Sequence, residues 1–290
     1  MRFEFIEVHS QHYPVVLLCR LLAVLRSGFY DYLARKSQGP SAREQEKAFL
    51  VEKIKAIHDD SEKRYGSPRI HAELRKQQLS CSLWRVKRLM RREGIDGMSK
   101  RKFKPKKASQ KEAGPNLLAD SDISRINQVW QSDITFIPTD EGWLYLAAVM
   151  DSYSRRIVGY AMDASMKTEL VIQALRMAVK QRRPAKGLIH HSDRGSQYTS
   201  YAFSRELAAQ EIIASFTAKG ACLDNAAIES FWATLKKELV YPGRFATREE
   251  ARSKVFEYIT VFYNRQRLHS SLGYNSPADF EIQDLERLAA

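Results

Sequence analysis

The chain has 290 residues, enough for one large domain and one or two small ones, and is 44% hydrophobic and 28% charged. Lysine and arginine outnumber aspartate and glutamate by 47 to 34, and a formal charge of +13 points to a polyanionic partner, nucleic acid before a membrane surface. Cys19, Cys81 and Cys222 lie far apart without a CxxC pair, which excludes a disulfide framework or zinc knuckle and fits a reducing cytosol.

At the N-terminus, His9, His12 and Cys19 are spaced like metal ligands but lack a fourth. The apolar run from Val15 to Leu25 is interrupted by Arg20, preceded by Glu4 and Glu7 and followed by no small-residue cleavage site. It reads neither as an export signal nor as a bilayer span, so a soluble, unprocessed, cytoplasmic protein without a membrane partner is expected. The text PVVLLCRLLAVLRSGFYDYLAR, residues 14–35, predicts two short helices. Leu17, Leu18, Leu21 and Leu22 supply the apolar stripe, and Arg26, Ser27 and Gly28 the break. A unit over 1–38 of this outline is a helix-turn-helix or, equally, a plain helical hairpin.

A second helical unit is expected over 42–98. Tyr65, Gly66, Ser67 and Pro68 form a turn that opens a helix whose Ile70, Leu74 and Leu79 face inward. The next helix carries Leu83, Val86, Leu89 and Met90 on one side and Arg85, Lys87, Arg88, Arg91 and Arg92 on the other, with Gly94 as its stop. A charged helix face is commonly only solvated, but five cations with no balancing acid before Glu93 favour contact with DNA phosphates. Residues 99–122 then read as a basic linker that opens with KRKFKPKK, in which Lys100, Lys104 and Lys106 could follow a phosphate backbone.

From Asn127 the periodicity changes from helix to strand. QVWQSDITFI, WLYLAAVMDS and RRIVGYAMD are three apolar runs joined by tight polar turns, which predicts an antiparallel meander. A helix through Leu170, Ile172, Leu175 and Val179 follows. Then come a short strand at 187–191, a helix near 200–210, a strand EIIASF and a longer helix from about Asn225. Hairpin-linked strands followed by βαβ units predict an α/β domain with a mixed sheet and helices on both its faces.

Three acids stand out in this domain. Asp133 lies inside an apolar strand, Asp193 closes the fourth strand in HHSDRGSQY, and Glu229 lies in the helix text DNAAIESFWATLKKEL. A carboxylate in an apolar strand costs free energy unless it finds partners or a metal. Each also has an ordinary reading, as a turn aspartate or a helical glutamate. Asp151 reads as a strand-end turn residue, and Asp224 and Asn225 as caps of the Glu229 helix.

Between Asp193 and Glu229 lie 35 residues, and Lys236 stands two helical turns past Glu229. WQSDIT, HSDRGSQYTS and DNAAIESFWATLKKE resemble the DDE signature shared by insertion-sequence transposases and retroviral integrases. YGSPRIHAELR and YNRQRLHSSLGYNSP are similar to the second reading-frame product of the insertion-sequence-three family, over about Leu17 to Phe280. The resemblance implies a ribonuclease-H-like core over 123–282, preceded by small all-α helix-turn-helix-like units. It implies metal-dependent DNA cleavage and strand transfer, with two Mg²⁺ ions, replaceable by Mn²⁺, held by Asp133, Asp193 and Glu229. It also implies a circular intermediate formed when one end is joined to the other.

Lys236 is expected to position DNA near the reacting phosphate, or else is an ordinary solvated lysine. Asn225, Gln197, Tyr198, Arg265 and Arg267 are expected to contact DNA, while His190 and His191 read as structural. Element ends and target DNA are the implied substrates, a first-frame protein the implied fusion or partner, and a homo-oligomer on DNA the implied assembly, associated with a bacterial nucleoid. No His-His-Cys-Cys zinc module precedes the core, which points away from the retroviral branch. A DNA-binding regulator and a ribonuclease-H-like nuclease or resolvase stand as alternatives. A tyrosine recombinase does not fit, because Tyr263, Arg265, Arg267 and His269 crowd one short stretch and cannot converge on a phosphate.

Overall fold

A computed structural model describes residues 1–98, 115–118, 122–217 and 225–289. The chain forms two compact units, Met1–Gly97 and Met98–Ala290. The first begins with α1 (Arg2–His9), α2 (Val15–Leu21) and α3 (Arg26–Ser37), which bury Ile6, Leu18, Cys19 and Phe29 together. Helix α1 has no counterpart in the sequence reading, because RFEFIEVH offers little periodicity. The break between α2 and α3 also falls earlier than expected. The chain turns at Leu22–Leu25, where Ala23 takes a left-handed φ of 51° and Val24 N–H donates to the Cys19 carbonyl at 3.0 Å. Gly28 lies inside α3, with the Phe3 ring 3.3 Å from where a Cβ would stand. The expected stripe is split accordingly: Leu18 is buried, whereas Leu17 and Leu21 face solvent.

Helix α4 (Ala42–Asp60) starts at a capping box, in which Ser41 and Glu44 satisfy each other's backbone N–H. Helix α5 (Ser67–Lys76) opens with Pro68 in its first turn, and α6 (Leu83–Arg92) follows. Leu50, Ile54, Ile70, Leu74, Val86 and Leu89 are buried among these three helices. The chain leaves α6 at Gly94 as expected, with Ile95 N–H donating to the Met90 carbonyl at 2.9 Å.

The second unit is built on a five-stranded sheet ordered β3-β2-β1-β4-β5. Strands β1 (Val129–Thr139), β2 (Gly142–Asp151) and β3 (Ile157–Asp163) form the antiparallel meander. Strands β4 (Ile189–Ser192) and β5 (Ile213–Phe216) add in parallel beyond β1. Alternation decides the two faces. Trp130, Ala147, Val149 and Val158 pack against Leu170, Ala174, Leu175, Phe203 and Leu207 of α7 (Thr168–Arg182) and α8 (Tyr201–Ala209). The opposite face is met by α9 (Ala226–Leu235) and α10 (Arg248–Glu257). Both helices run on into a π-helical turn, Lys236–Val240 and Tyr258–Tyr263. Helix α11 (Pro277–Ala289) is tied to the end of α7 and to the β2–β3 turn by Glu281, which accepts two 2.8 Å bonds from Arg182 and a 2.7 Å bond from Ser154. The mixed sheet with helices on both faces meets the expectation from the sequence.

Gly159 marks where β3 meets α7: a Cβ there would stand 2.3 Å from the Ala174 carbonyl oxygen and 2.6 Å from Ala178 N. Neither backbone atom can rotate away, so α7 would have to lift off the sheet. Gly159→Ala should therefore destabilise the protein by about 1–3 kcal/mol. A denaturant midpoint unchanged from wild type would show that the two elements are not in hard contact. Among the described residues, no helix is long and apolar enough to cross a membrane.

Candidate active site

Asp133 and Asp193 are brought together by strand register. β1 and β4 run parallel, with Ser132 opposite Ser192; Asp133 is the next residue along β1, and Asp193 is the first residue beyond β4. Asp133 Oδ1 accepts from Ile134 N–H at 2.8 Å, and Asp193 Oδ1 from Gly195 N–H at 2.9 Å. That second bond holds the tight turn expected after Asp193.

Helix α9 brings the third acid. Asn225 Nδ2 donates to the Ser132 carbonyl at 3.4 Å, and Trp232 Nε1 donates to Asp133 Oδ2 at 2.9 Å. Asn225, Glu229 and Trp232 follow one helical stripe, so these two bonds fix the face that carries Glu229 towards β1. Glu229 itself is solvent-exposed. Among the described residues, no three His, Cys, Asp or Glu groups converge closely enough to grip an ion; Asp133 and Asp193 are the tighter pair. Lys236, where α9 passes into its π turn, rests its ammonium 4.9 Å from the centre of the Phe136 ring. Desolvation lowers its pKa, and the nearby Asp133 charge works the other way. Lys236 is thus half-buried near Asp133 instead of extending into solvent. Trp232 and Phe136 were not singled out in the sequence; only the i+3 spacing of Trp232 from Glu229 hinted at a shared face.

The residues after β4 divide by burial. His190 shares a 2.7 Å hydrogen bond with Ser132 Oγ, and His191 one of 2.9 Å with Ser215 Oγ; both are buried, in keeping with their structural reading. Tyr198 corrects its expectation. Its ring is 2% exposed and packs against His190 and Phe203, which leaves it no surface for DNA. Gln197 is half-exposed and donates to the Met166 carbonyl at 3.1 Å. Asp151 is a turn residue as expected, accepting from the N–H groups of Asn127, Tyr153 and Ser154. Asn225 makes no side-chain cap on α9, because its amide is turned to Ser132; Asp224 lies outside the described residues.

Several cations are committed elsewhere. Arg85 pairs with Glu46 of α4 at 2.7 Å and Arg92 with Glu93 at 3.0 Å, so the α6 face is partly balanced from a distant segment. Lys87, Arg88 and Arg91 are exposed and make no ion pair among the described residues, with Arg88 over the Trp84 ring at 4.7 Å. Arg267, expected at DNA, is 6% exposed and bound to Glu238 at 2.8 Å; its neighbour Arg265 is exposed. Lys100, Lys104 and Lys106 lie outside the described residues.

Electrostatics single out Asp133. Desolvation first, and the Asp193 charge second, push its carboxyl up to about 7. Two neighbouring carboxylates in such surroundings are a hard oxygen donor set whose repulsion a divalent cation would relieve, so these residues fit such an ion. The strain is testable through pH. Asp133 has a folded pKa above its unfolded value, so its stabilising contribution is complete below about pH 4 and is lost as pH rises towards 7. His190, pushed down to about 3 by burial, acts in the opposite direction over part of the same window, so the wild-type profile alone mixes the two. The stability difference between Asp133→Asn and wild type, both metal-free, should therefore move in favour of Asn by a few kcal/mol from pH 4 to 8. A flat difference profile by thermal melting would refute the strained pair.

Comparison with known proteins agrees with this architecture. The integrase core domain family matches residues 124–222, a second integrase core domain family matches 229–285, and an HTH-like domain family matches 44–103. These matches define an enzyme with an integrase catalytic core and an HTH-like region before it. Transposase InsF for insertion sequence IS3A from Escherichia coli (strain K12) is 39% identical over 288 residues, 98% of this chain and 100% of the relative. The insertion element IS600 uncharacterized 31 kDa protein from Shigella sonnei is 42% identical over 266 residues, 91% of this chain and 97% of the relative. The catalytic core domain of BIV integrase aligns with a TM-score of 0.43 at 16% identity, over 57% of this chain and 99% of that one. The chain belongs to the insertion-sequence-three family of transposases.

Proposed function

We propose that Asp133, Asp193 and Glu229 form a DDE site that cleaves one DNA strand at each element end and transfers the freed 3′-hydroxyl to another phosphodiester. The observation that carries this reading is the docking of α9 on β1 through Asn225 and Trp232, which presents Glu229 towards the register-paired Asp133 and Asp193. Those three carboxylates would hold two Mg²⁺ ions, or Mn²⁺ in their place. Bound there, the ions would activate the attacking oxygen and stabilise the leaving one. Trp232 N–H fixes one oxygen of Asp133, and the Gly195 turn fixes one of Asp193, so both acids are pre-oriented. Lys236 lies within reach of the same acids and would steer the DNA phosphate towards them.

DNA binding would fall to the helical unit over 42–98 through Lys87, Arg88 and Arg91, with the basic linker 99–122 following the backbone and Asn225, Gln197 and Arg265 beside the core. The N-terminal unit over 1–38 would act as a further helix-turn-helix module, and the chemistry would fall to 123–282. The active assembly would be a homo-oligomer on DNA at the bacterial nucleoid, joined by the first-frame protein. The test is a purified reaction containing both proteins, Mg²⁺ and a plasmid with both element ends. A joined circle that disappears on chelation is the expected product. Nicking without joining would indicate a nuclease, binding without nicking a regulator, and a covalent protein–DNA adduct a different mechanism altogether.

A further inference from the structure

The motif YNRQRLHSSLG has no role in the chemistry above, yet it builds one wall of a cavity of about 600 Å³, a size usual for ligand sites. Tyr263, Arg267, His269, Ser270 and Ser271 line that wall. Facing them are the first turn of α9, with Ala226, Ala227 and Ser230, and the β2–β3 turn, with Ser152 and Arg155. No Asp or Glu lines the cavity among the described residues.

Three independent features give this cavity one preference. Arg155 makes no ion pair among the described residues, so its charge is uncompensated there. Ser152 is 7% exposed and its hydroxyl has no hydrogen-bond partner among the described residues, which leaves a buried donor on the cavity wall. The first backbone N–H groups of α9 have no intrahelical acceptor, and the positive end of the helix dipole lies with them. Hydroxyl and N–H donors around a guanidinium that is unpaired among the described residues, with no carboxylate among the described lining residues, are the chemistry that binds a phosphate. The cavity also shares α9 and β1 with the acids: Ser230 follows Glu229, and Gln131 lies two residues before Asp133 on the same face of the strand.

We propose that this cavity seats one backbone phosphate of the DNA engaged at the acids, held by Arg155, Ser152 and the first turn of α9. The proposal rests on the reading of the core as a DNA strand-transfer site, but its test uses neither metal nor cleavage. Binding of the full chain to a short mixed-sequence duplex is followed by fluorescence anisotropy over a range of salt concentrations. Each phosphate contact contributes about 0.9 to the slope of log affinity against log salt. Arg155→Gln should lower that slope by about one contact, and Arg155→Lys should keep it. Ser271→Trp, which is neutral and fills the cavity from its exposed rim, should lower it as Arg155→Gln does. An unchanged slope in Arg155→Gln would overturn the proposal. So would a loss in Arg155→Gln with none in Ser271→Trp, since diffuse surface charge does not sense a neutral filler. The binding assay contains no metal and reads no cleavage, so failure of the acid-site chemistry would leave this result standing.

Discussion

Asp133→Asn, Asp193→Asn and Glu229→Gln should each reduce both strand cleavage and strand joining by at least roughly a thousandfold, while DNA affinity stays near wild type. Each substitution keeps the shape of the side chain and removes one charged oxygen ligand. The loss falls on the transition state because the ions must balance charge on the attacking and leaving oxygens as it develops. Affinity is spared if phosphate docking draws, as proposed, on other groups, among them the exposed Lys87, Arg88 and Arg91. Asp133→Asn carries an added test: its single amide oxygen can still accept from Trp232 Nε1 while the Ile134 N–H bond is given up, so α9 should remain docked, and relief of the buried charge should offset the lost bond so that melting at neutral pH stays near wild type. Quantifying nicked and joined products separately is the measurement. Joining at wild-type rate by Glu229→Gln would remove that residue from the site and leave only the Asp133–Asp193 pair.

The second large effect belongs to stability. Arg267 and Glu238 are both buried, joined by bonds of 2.8 and 3.0 Å, and Tyr258 donates its hydroxyl to the same carboxylate at 2.8 Å. Arg267→Ala strips the partner from a buried carboxylate, a change that costs about 3–5 kcal/mol. Arg267→Met combined with Glu238→Leu removes both charges and should recover most of that loss, because well-packed apolar groups can replace a buried pair. Equilibrium unfolding of the two variants gives the comparison. Equal losses in single and double variants would mean that packing volume, and not the unpaired charge, is what the site requires. The result also separates two arginines that line one cavity: Arg267 is charge-balanced by Glu238, whereas Arg155 has no ion pair among the described residues.

Local pattern made much of this protein legible. The switch near Asn127 from helical to alternating periodicity foretold the meander, because a half-buried strand must alternate and a packed helix cannot. The spacing of Asp193, Glu229 and Lys236 pointed to one site only through its resemblance to the DDE signature. Pro68 and Gly94 marked the ends of α5 and α6 through backbone constraints that belong to the residues themselves.

What the sequence left open were pairings between segments far apart in the chain. Nothing local says that Arg85 meets Glu46, that Arg267 meets Glu238, or that Trp232 holds Asp133. Tyr198 sits among polar loop residues and reads as exposed, yet the fold closes His190 and Phe203 around its ring. A charge pattern records how many ions a segment carries, but whether an ion faces water, a partner or an empty cavity depends on which distant element packs against it. The sequence by itself determined the strands of the sheet and most of the helices, because those follow from backbone geometry and side-chain period. Only the tertiary structure decided the parallel register that sets Asp133 beside Asp193 and, among the described residues, which cations remain unpaired and which cavity next to α9 is lined by no acid, because burial and long-range contact set the electrostatics of each.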